Sequence, residues 1–379
     1  MSLPNHTSFF AQPKFLVGLR AMEHIPVDLD GYNAHRPMVI VNPQAKSLVK
    51  KFIRSLADSN LTVGAMVHCT LPYVNRYEIV RLAGLFRWRQ CDSIIAIGGE
   101  FTMDIAKALA IFLSDETDFK SLQIHDRTIP FAYIATQDIS GTEVTGTMNL
   151  DGREVASDFL YPDIVCIDNR MVGHRYGLDK TIYAALGALA WSLEGVADEQ
   201  CSPFAEASAY TAISLIAGNL PKLVQKPTDK KSALAVVNGI TVAGTVRSNS
   251  QGGVACLTGE LLAVELGYDA NLLAGLLLPI ALRYKCEQGQ AIQDDLLLAL
   301  AGVNGYSAIS AEHRSKESIR ITELLASFAN IKIDQLKIQQ HLIQKVAAGV
   351  QRISNSRIST DYCFGFLTYV LGKRSSADK

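Results

Sequence analysis

Ile94-Ile95-Ala96-Ile97-Gly98-Gly99-Glu100-Phe101-Thr102-Met103-Asp104-Ile105-Ala106-Lys107 decides the fold. Its opening run is β-branched and apolar on both faces, which is how a strand buried on both sides reads. Paired glycines stop the strand, and from Met103 the apolar spacing becomes that of a helix over 103–112. Backbone N–H groups in such a turn, together with the positive end of the helix, suit a phosphate. Two glycines alone are more often a plain tight turn, and Glu100 would repel a pyrophosphate if its carboxylate pointed inward. Asp104 and Lys107 stand three apart and share a helix face. They read either as a local ion pair or as groups lining a cleft between domains.

Outward from this turn the first half keeps the same grammar. PMVIV (37–41) is a buried strand ending at Asn42-Pro43, and a helix follows over 45–58. Residues 61–68 form a second strand, 78–90 a helix, 93–99 the quoted strand, and 131–136 and 163–168 two more strands. Such alternation predicts a parallel sheet with helices on both faces. After Lys180 the segments 180–196, 204–219, 232–246, 252–266, 271–285, 293–301, 317–329 and 335–351 carry Ala and Leu at helical spacing. The expectation is a Rossmann-like α/β domain over 1–175 and an all-helical domain over 176–379, joined near 169–180.

Apolar residues make up 48% of the 379, charged residues 19%, and the formal net charge is −1. That balance argues against nucleic acid or an anionic membrane as the main partner. The seven cysteines are scattered, odd in number and without CxxC spacing, so reduced thiols in the cytoplasm are the simpler reading. MSLPNHTSFF lacks the pattern of a secretory signal. The most apolar stretch, Leu272 to Leu282, is interrupted by Pro279 and is shorter than the roughly 20 residues a bilayer span needs. A soluble protein is expected.

Taken in order, several motifs resemble the iron-dependent alcohol dehydrogenase family. Gly98-Gly99-Glu100-Phe101-Thr102-Met103-Asp104 leading to Lys107 is similar to its GGGSxxDxxK. Ala135-Thr136-Gln137-Asp138-Ile139-Ser140-Gly141-Thr142-Glu143-Val144-Thr145 is similar to PTTxxTGSEVT. YPDIVCID (161–168), the helix around 185–194, the opening QPKFLVG (12–18) and the closing SNSRIST (354–360) follow in the family's order. The resemblance implies an N-terminal domain that binds NAD or NADP, and a helical domain that in the family holds one divalent metal. It also implies a small-molecule substrate and pairing of two chains through the N-terminal domain.

Carried over residue by residue, the resemblance assigns Gly98, Gly99, Thr136, Ser140, Gly141 and Asn42 to the cofactor. It offers Asp104, Lys107 and Arg153 as catalytic candidates, with Lys107 or Arg153 as a cationic electrophile. The departures are as informative. Gly187, Trp191, Glu260 and Ala270 stand at the metal-ligand positions, and no histidine occurs between His174 and His313. A family-type metal is therefore not expected, and Cys256 with Glu260 does not make a four-ligand site. Glu100 replaces the third glycine and Phe101 a small polar residue. The acidic residue for the ribose falls at Asn42 or Pro43, and the family's Pro-Asn-Pro appears as Pro72-Tyr73-Val74. No GxSxG, HExxH or Walker lysine takes over, and Ser202-Pro203 reads as a helix start. Two readings follow: a metal-independent NAD(P) oxidoreductase of alcohols or aldehydes, or a non-catalytic relative kept for binding, regulation or assembly.

Overall fold

A computed structural model describes residues 7–69, 74–115, 124, 126–175, 177–198, 200–336 and 338–377. Pro72 and Tyr73 of the expected Pro-Asn-Pro segment lie outside them. The chain forms two compact units. One is Ala11–Leu178 with Pro227–Val237; the other takes the segment ending at Phe10, Asp179–Lys226 and Asn238–Lys379.

The first unit is α/β, with strands β1 (Lys14–Gly18), β2 (Pro37–Val41), β3 (Ala65–His68), β4 (Ser93–Gly98), β5 (Phe131–Ala135), β6 (Thr147–Leu150), β7 (Arg153–Ala156) and β8 (Ile164–Asp168). Helices α1 (Ile25–Asp30), α2 (Lys46–Ser55), α3 (Arg76–Trp88) and α4 (Glu100–Asp115) alternate with them. Six strands form one parallel sheet in the order β1-β8-β5-β4-β2-β3. Every residue of β2, β4, β5 and β8 is buried, the property their unbroken apolar runs dictate. From β2 the chain moves outward to β3, then returns past β2 to β4 and onward to β5 and β8. The order thus reverses between β2 and β4, the place where open α/β sheets leave a crevice beyond the strands' carboxyl ends.

Three differences from the sequence reading have physical causes. β1 pairs with β8 at the sheet edge, yet its residues are largely exposed, so it lacks the apolar run that marks its neighbours. β6 and β7 form an antiparallel hairpin turning at Asp151 (φ 51°) and Gly152 (φ 75°), an Asp-Gly turn whose signal is short. α4 starts at Glu100, directly after the glycines, instead of at Met103.

The second unit is helical: α5 (Leu178–Val196), α6 (Pro203–Gln225), the later part of α7 (Lys230–Ser248), α8 (Val254–Leu266), α9 (Ala270–Glu287), α10 (Asp295–Ala308), α11 (Ala311–Ala326), α12 (Gln340–Ile353) and α13 (Thr360–Ala377). Ser202 caps α6, its Oγ accepting the Ala205 N–H at 3.1 Å, with Pro203 at the first position. α9 carries the most apolar stretch and buries most of it. No helix among the described residues is long and apolar enough to cross a membrane. All seven cysteines are free thiols.

Candidate functional site

Asn42 follows β2 and Gly98 ends β4, so the strand-order reversal brings them side by side. A Cβ on Gly98 (φ 152°) would lie 2.6 Å from Asn42 Cβ and 2.6 Å from Thr102 Oγ1, which leaves glycine as the residue that fits. Asn42 N–H donates to Ile97 O at 2.9 Å, continuing the sheet ladder by one residue. The Tyr133 hydroxyl, from β5, donates to Gly98 O. Glu100 and Phe101, which threatened to fill this turn, are both exposed on the first turn of α4. The group that does press on the turn is Asp138: a Cβ on Gly99 would meet its Oδ2 at 2.6 Å and its carbonyl oxygen at 2.7 Å. Asn42 Nδ2 donates to Asp138 Oδ2 at 2.8 Å, and the Thr136 hydroxyl donates to Oδ1. Thr136 and Asn42 therefore address a carboxylate of the chain itself. Ser140 Oγ and Thr142 Oγ1 are 2.8 Å apart, and Gly141 (φ 90°) donates its N–H to Glu143 Oε2 at 3.0 Å.

Asp104 and Lys107 are both buried in α4. Lys107 Nζ donates to Thr142 O and Thr145 O at 2.8 Å each and to Thr147 O at 2.7 Å. An ammonium has three protons, and all three are engaged by main-chain carbonyls, so none is left for a developing oxyanion. Lys107 is a clamp on the segment leading into β6, which corrects its assignment as an electrophile. Asp104 Oδ2 accepts the Asn149 N–H at 3.0 Å from the same hairpin. Burial pushes the Asp104 carboxyl up, Lys107 pulls it down, and Glu100 adds to the rise. Arg153, at the far side of the hairpin turn, is exposed.

In the helical unit the four metal-ligand positions do not fit a divalent cation. A Cβ on Gly187 would lie 2.3 Å from Asn271 Oδ1 and 2.7 Å from Asn271 Cα, so no longer side chain fits there. Trp191 is 7% exposed and offers a ring face, and Ala270 offers no donor atom. Glu260 is ion-paired with Arg247, Nη2 to Oε1 at 2.9 Å, and the same guanidinium stacks over the Trp191 ring, 5.2 Å from its centroid. One carboxylate already facing a fixed cation is the opposite of a metal cradle. Among the described residues no group of three or more His, Cys, Asp and Glu is placed to hold a metal. Burial pushes the Cys256 thiol well up, with Glu194 adding to the rise. Glu194 instead caps α8, accepting the N–H groups of Gly253 (3.1 Å), Ala255 (2.8 Å) and Cys256 (2.9 Å). It borders a cavity of about 730 Å³ that also takes in Gly252, Lys285, Arg357 and Tyr362. Arg357, from the 354–360 segment, is spent on Asp198 at 2.9 Å.

Sequence reasoning missed Asp138 and Arg247. Asp138 sits inside the recognised 135–145 segment at a position the motif leaves open. Arg247 lies in the last turn of α7 after an uncharged stretch over 233–246, a signal that does not reveal its partner on α8.

The sequence pattern of iron-containing alcohol dehydrogenases matches residues 12–169. Maleylacetate reductase 1 of Cupriavidus pinatubonensis (strain JMP 134 / LMG 1197) is 25% identical over 242 residues, 62% of this chain and 62% of its own length, under two thirds of that relative. Long-chain-alcohol dehydrogenase 1 of Geobacillus thermodenitrificans (strain NG80-2) is 27% identical over 325 residues, 80% of each chain. The crystal structure of sulfoacetaldehyde reductase from Bifidobacterium kashiwanohense in complex with NAD+ superposes with a TM-score of 0.77. It covers 97% of this chain and 99% of that one at 16% identity, a likeness of fold.

Proposed function

We propose that this chain, whose residues 12–169 match the pattern of iron-containing alcohol dehydrogenases, is a divergent member of that family and an NAD(P)-dependent alcohol or aldehyde oxidoreductase that works without the family metal. The observation that carries the reading is the Gly98–Gly99 turn at the carboxyl end of β4, beside Asn42 at the strand-order reversal. Main-chain N–H groups at the start of a long helix favour a phosphate there. The relative solved with NAD+ has the same fold, which supports a nicotinamide dinucleotide as the ligand. The cofactor, when bound, supplies or accepts the hydride. Gly98 and Gly99 would then hold the phosphates and Asn42 would orient the ribose, while Lys107 and Asp104 keep the 142–149 segment in place. Asp138 opposes this binding, because its carboxylate lies against Gly99 and repels a phosphate. Affinity for the dinucleotide is therefore weak.

The reading is tested by following NADH and NADPH oxidation at saturating cofactor with a panel of short aldehydes and an excess of chelator. Chelator-resistant turnover is the expected result; turnover that appears only on adding Fe²⁺ or Zn²⁺ would overturn the metal-independent reading. Asp138 also favours a second reading, a non-catalytic relative that retains the fold for binding or assembly. Inertness toward every aldehyde, with no nucleotide affinity even after removal of the Asp138 charge, would select it.

A further inference from the structure

The cavity beside Glu194 lies wholly within the helical unit and holds about 730 Å³, the size of a pocket for a small organic molecule. Gly187, Trp191, Glu260 and Ala270 are not among its lining residues. On α9, Ala281 and Lys285 line it 11 and 15 positions past Ala270, which at the rise of a helix is about 16–23 Å along the axis. Its polar groups divide into spent and unspent. Both carboxylates are spent: Glu194 accepts three main-chain N–H groups at the start of α8, and each oxygen of Asp198 accepts from Arg357 Nη1 at 2.9 Å. Arg357 Nη2 is occupied by Gln200 Oε1.

The Lys285 ammonium, the Gln290 amide and the Tyr362 hydroxyl line the same space, and they make no hydrogen bond or ion pair among the described residues. They gather at the end of α9. Gln290 N–H donates to Lys285 O at 3.0 Å, and the Tyr362 ring lies 5.3 Å from that of Tyr284, the residue before Lys285. Burial pushes the Tyr362 phenol up to about 12, so it stays a donor. Leu193, Val254, Ala281, Leu282 and Ile358 make the rest of the wall apolar. One unopposed positive charge with two neutral donors, set against such a wall, suits a singly charged anion that carries an apolar body.

We infer that this cavity is a second ligand site, which takes a monocarboxylate with an apolar body. Lys285 holds the carboxylate, Gln290 and Tyr362 donate to it, and the body of the ligand lies against Leu193, Ala281, Leu282 and Ile358. Every residue involved belongs to the helical unit, so the site is independent of the dinucleotide turn.

The test titrates octanoate, octanol and acetate into the full chain by calorimetry, below the micellar range and without nucleotide. Saturable octanoate binding is expected. Octanol, which lacks the charge, binds about 10-fold more weakly, the worth of a charge-assisted hydrogen bond at a half-buried site. Acetate, which lacks the apolar body, does not saturate. Lys285→Met lowers octanoate to the level of octanol and leaves octanol unchanged. Ala197→Phe, at an exposed position on the rim, crowds the cavity and weakens octanoate and octanol alike. Absence of saturable octanoate binding to the parent chain overturns the inference, as does undiminished octanoate affinity in Lys285→Met. Octanoate binding that Ala197→Phe leaves unchanged lies elsewhere on the chain and overturns it too. If Lys285→Met fails to fold, Gln290→Met, at an exposed position, takes its place: a loss for octanoate with none for octanol is expected, and no loss for either overturns the site.

Discussion

Asp138→Asn should convert a weak dinucleotide site into a stronger one. The Asp138 carboxylate lies 2.6 Å from where a Cβ on Gly99 would be, so any phosphate held by the turn has a like charge on the order of 5 Å away. At an effective dielectric near 20 that separation costs about 3 kcal/mol. The partly buried setting of Asp138, which still admits solvent, and the donors Asn42 and Thr136 reduce it to about 1–2 kcal/mol. The amide keeps the shape and an acceptor oxygen but removes the charge, so NADH affinity should rise about 5- to 30-fold. Calorimetric titration at low and moderate salt measures this, and the gain should shrink as salt rises. An unchanged or weaker affinity in Asp138→Asn, with the variant folded, would refute the repulsion argument.

Three further outcomes follow from the packing. Lys107→Met leaves three buried carbonyls without their donor and should cost about 3–5 kcal/mol in urea unfolding; a loss below about 1 kcal/mol would return Lys107 to the catalytic candidates. Burial raises the Asp104 pKa in the folded chain, so the fold prefers the protonated form, and stability from this group is lost as pH rises out of the ordinary carboxylate range toward the raised value. Asp104→Asn removes that slope, so the stability of the variant relative to the parent should climb with pH over this window, and a difference that falls instead would contradict the assignment. Gly187→Ala pushes a methyl against Asn271 and should destabilise by about 1–2 kcal/mol despite alanine's better helix propensity; a stabilised variant would show that Asn271 moves aside freely.

The strands most legible in the sequence are those that are buried on both faces. PMVIV, SIIAIG, FAYIA and IVCID have no polar side to disguise them, and the structure buries them throughout. β1 and the β6–β7 hairpin escaped because edge and surface strands need only part of that pattern. At the site, Asn42, Gly98 and Gly99 were readable because strand ends and glycine turns are local events. What lies against them was not. Asp138 reaches Asn42 across 96 positions, and Arg247 meets Trp191 and Glu260 from another helix. Lys107 shows the same limit from the other side: its position was conspicuous, while its use by three carbonyls is a property of the folded loop.

The most direct test of the account is calorimetry of NADH and NADPH binding to the purified full chain, with metal content determined on the same sample. Weak but saturable binding of at least one nucleotide is expected, with metal far below one equivalent. No binding of either nucleotide, or one equivalent of tightly held metal, would contradict it.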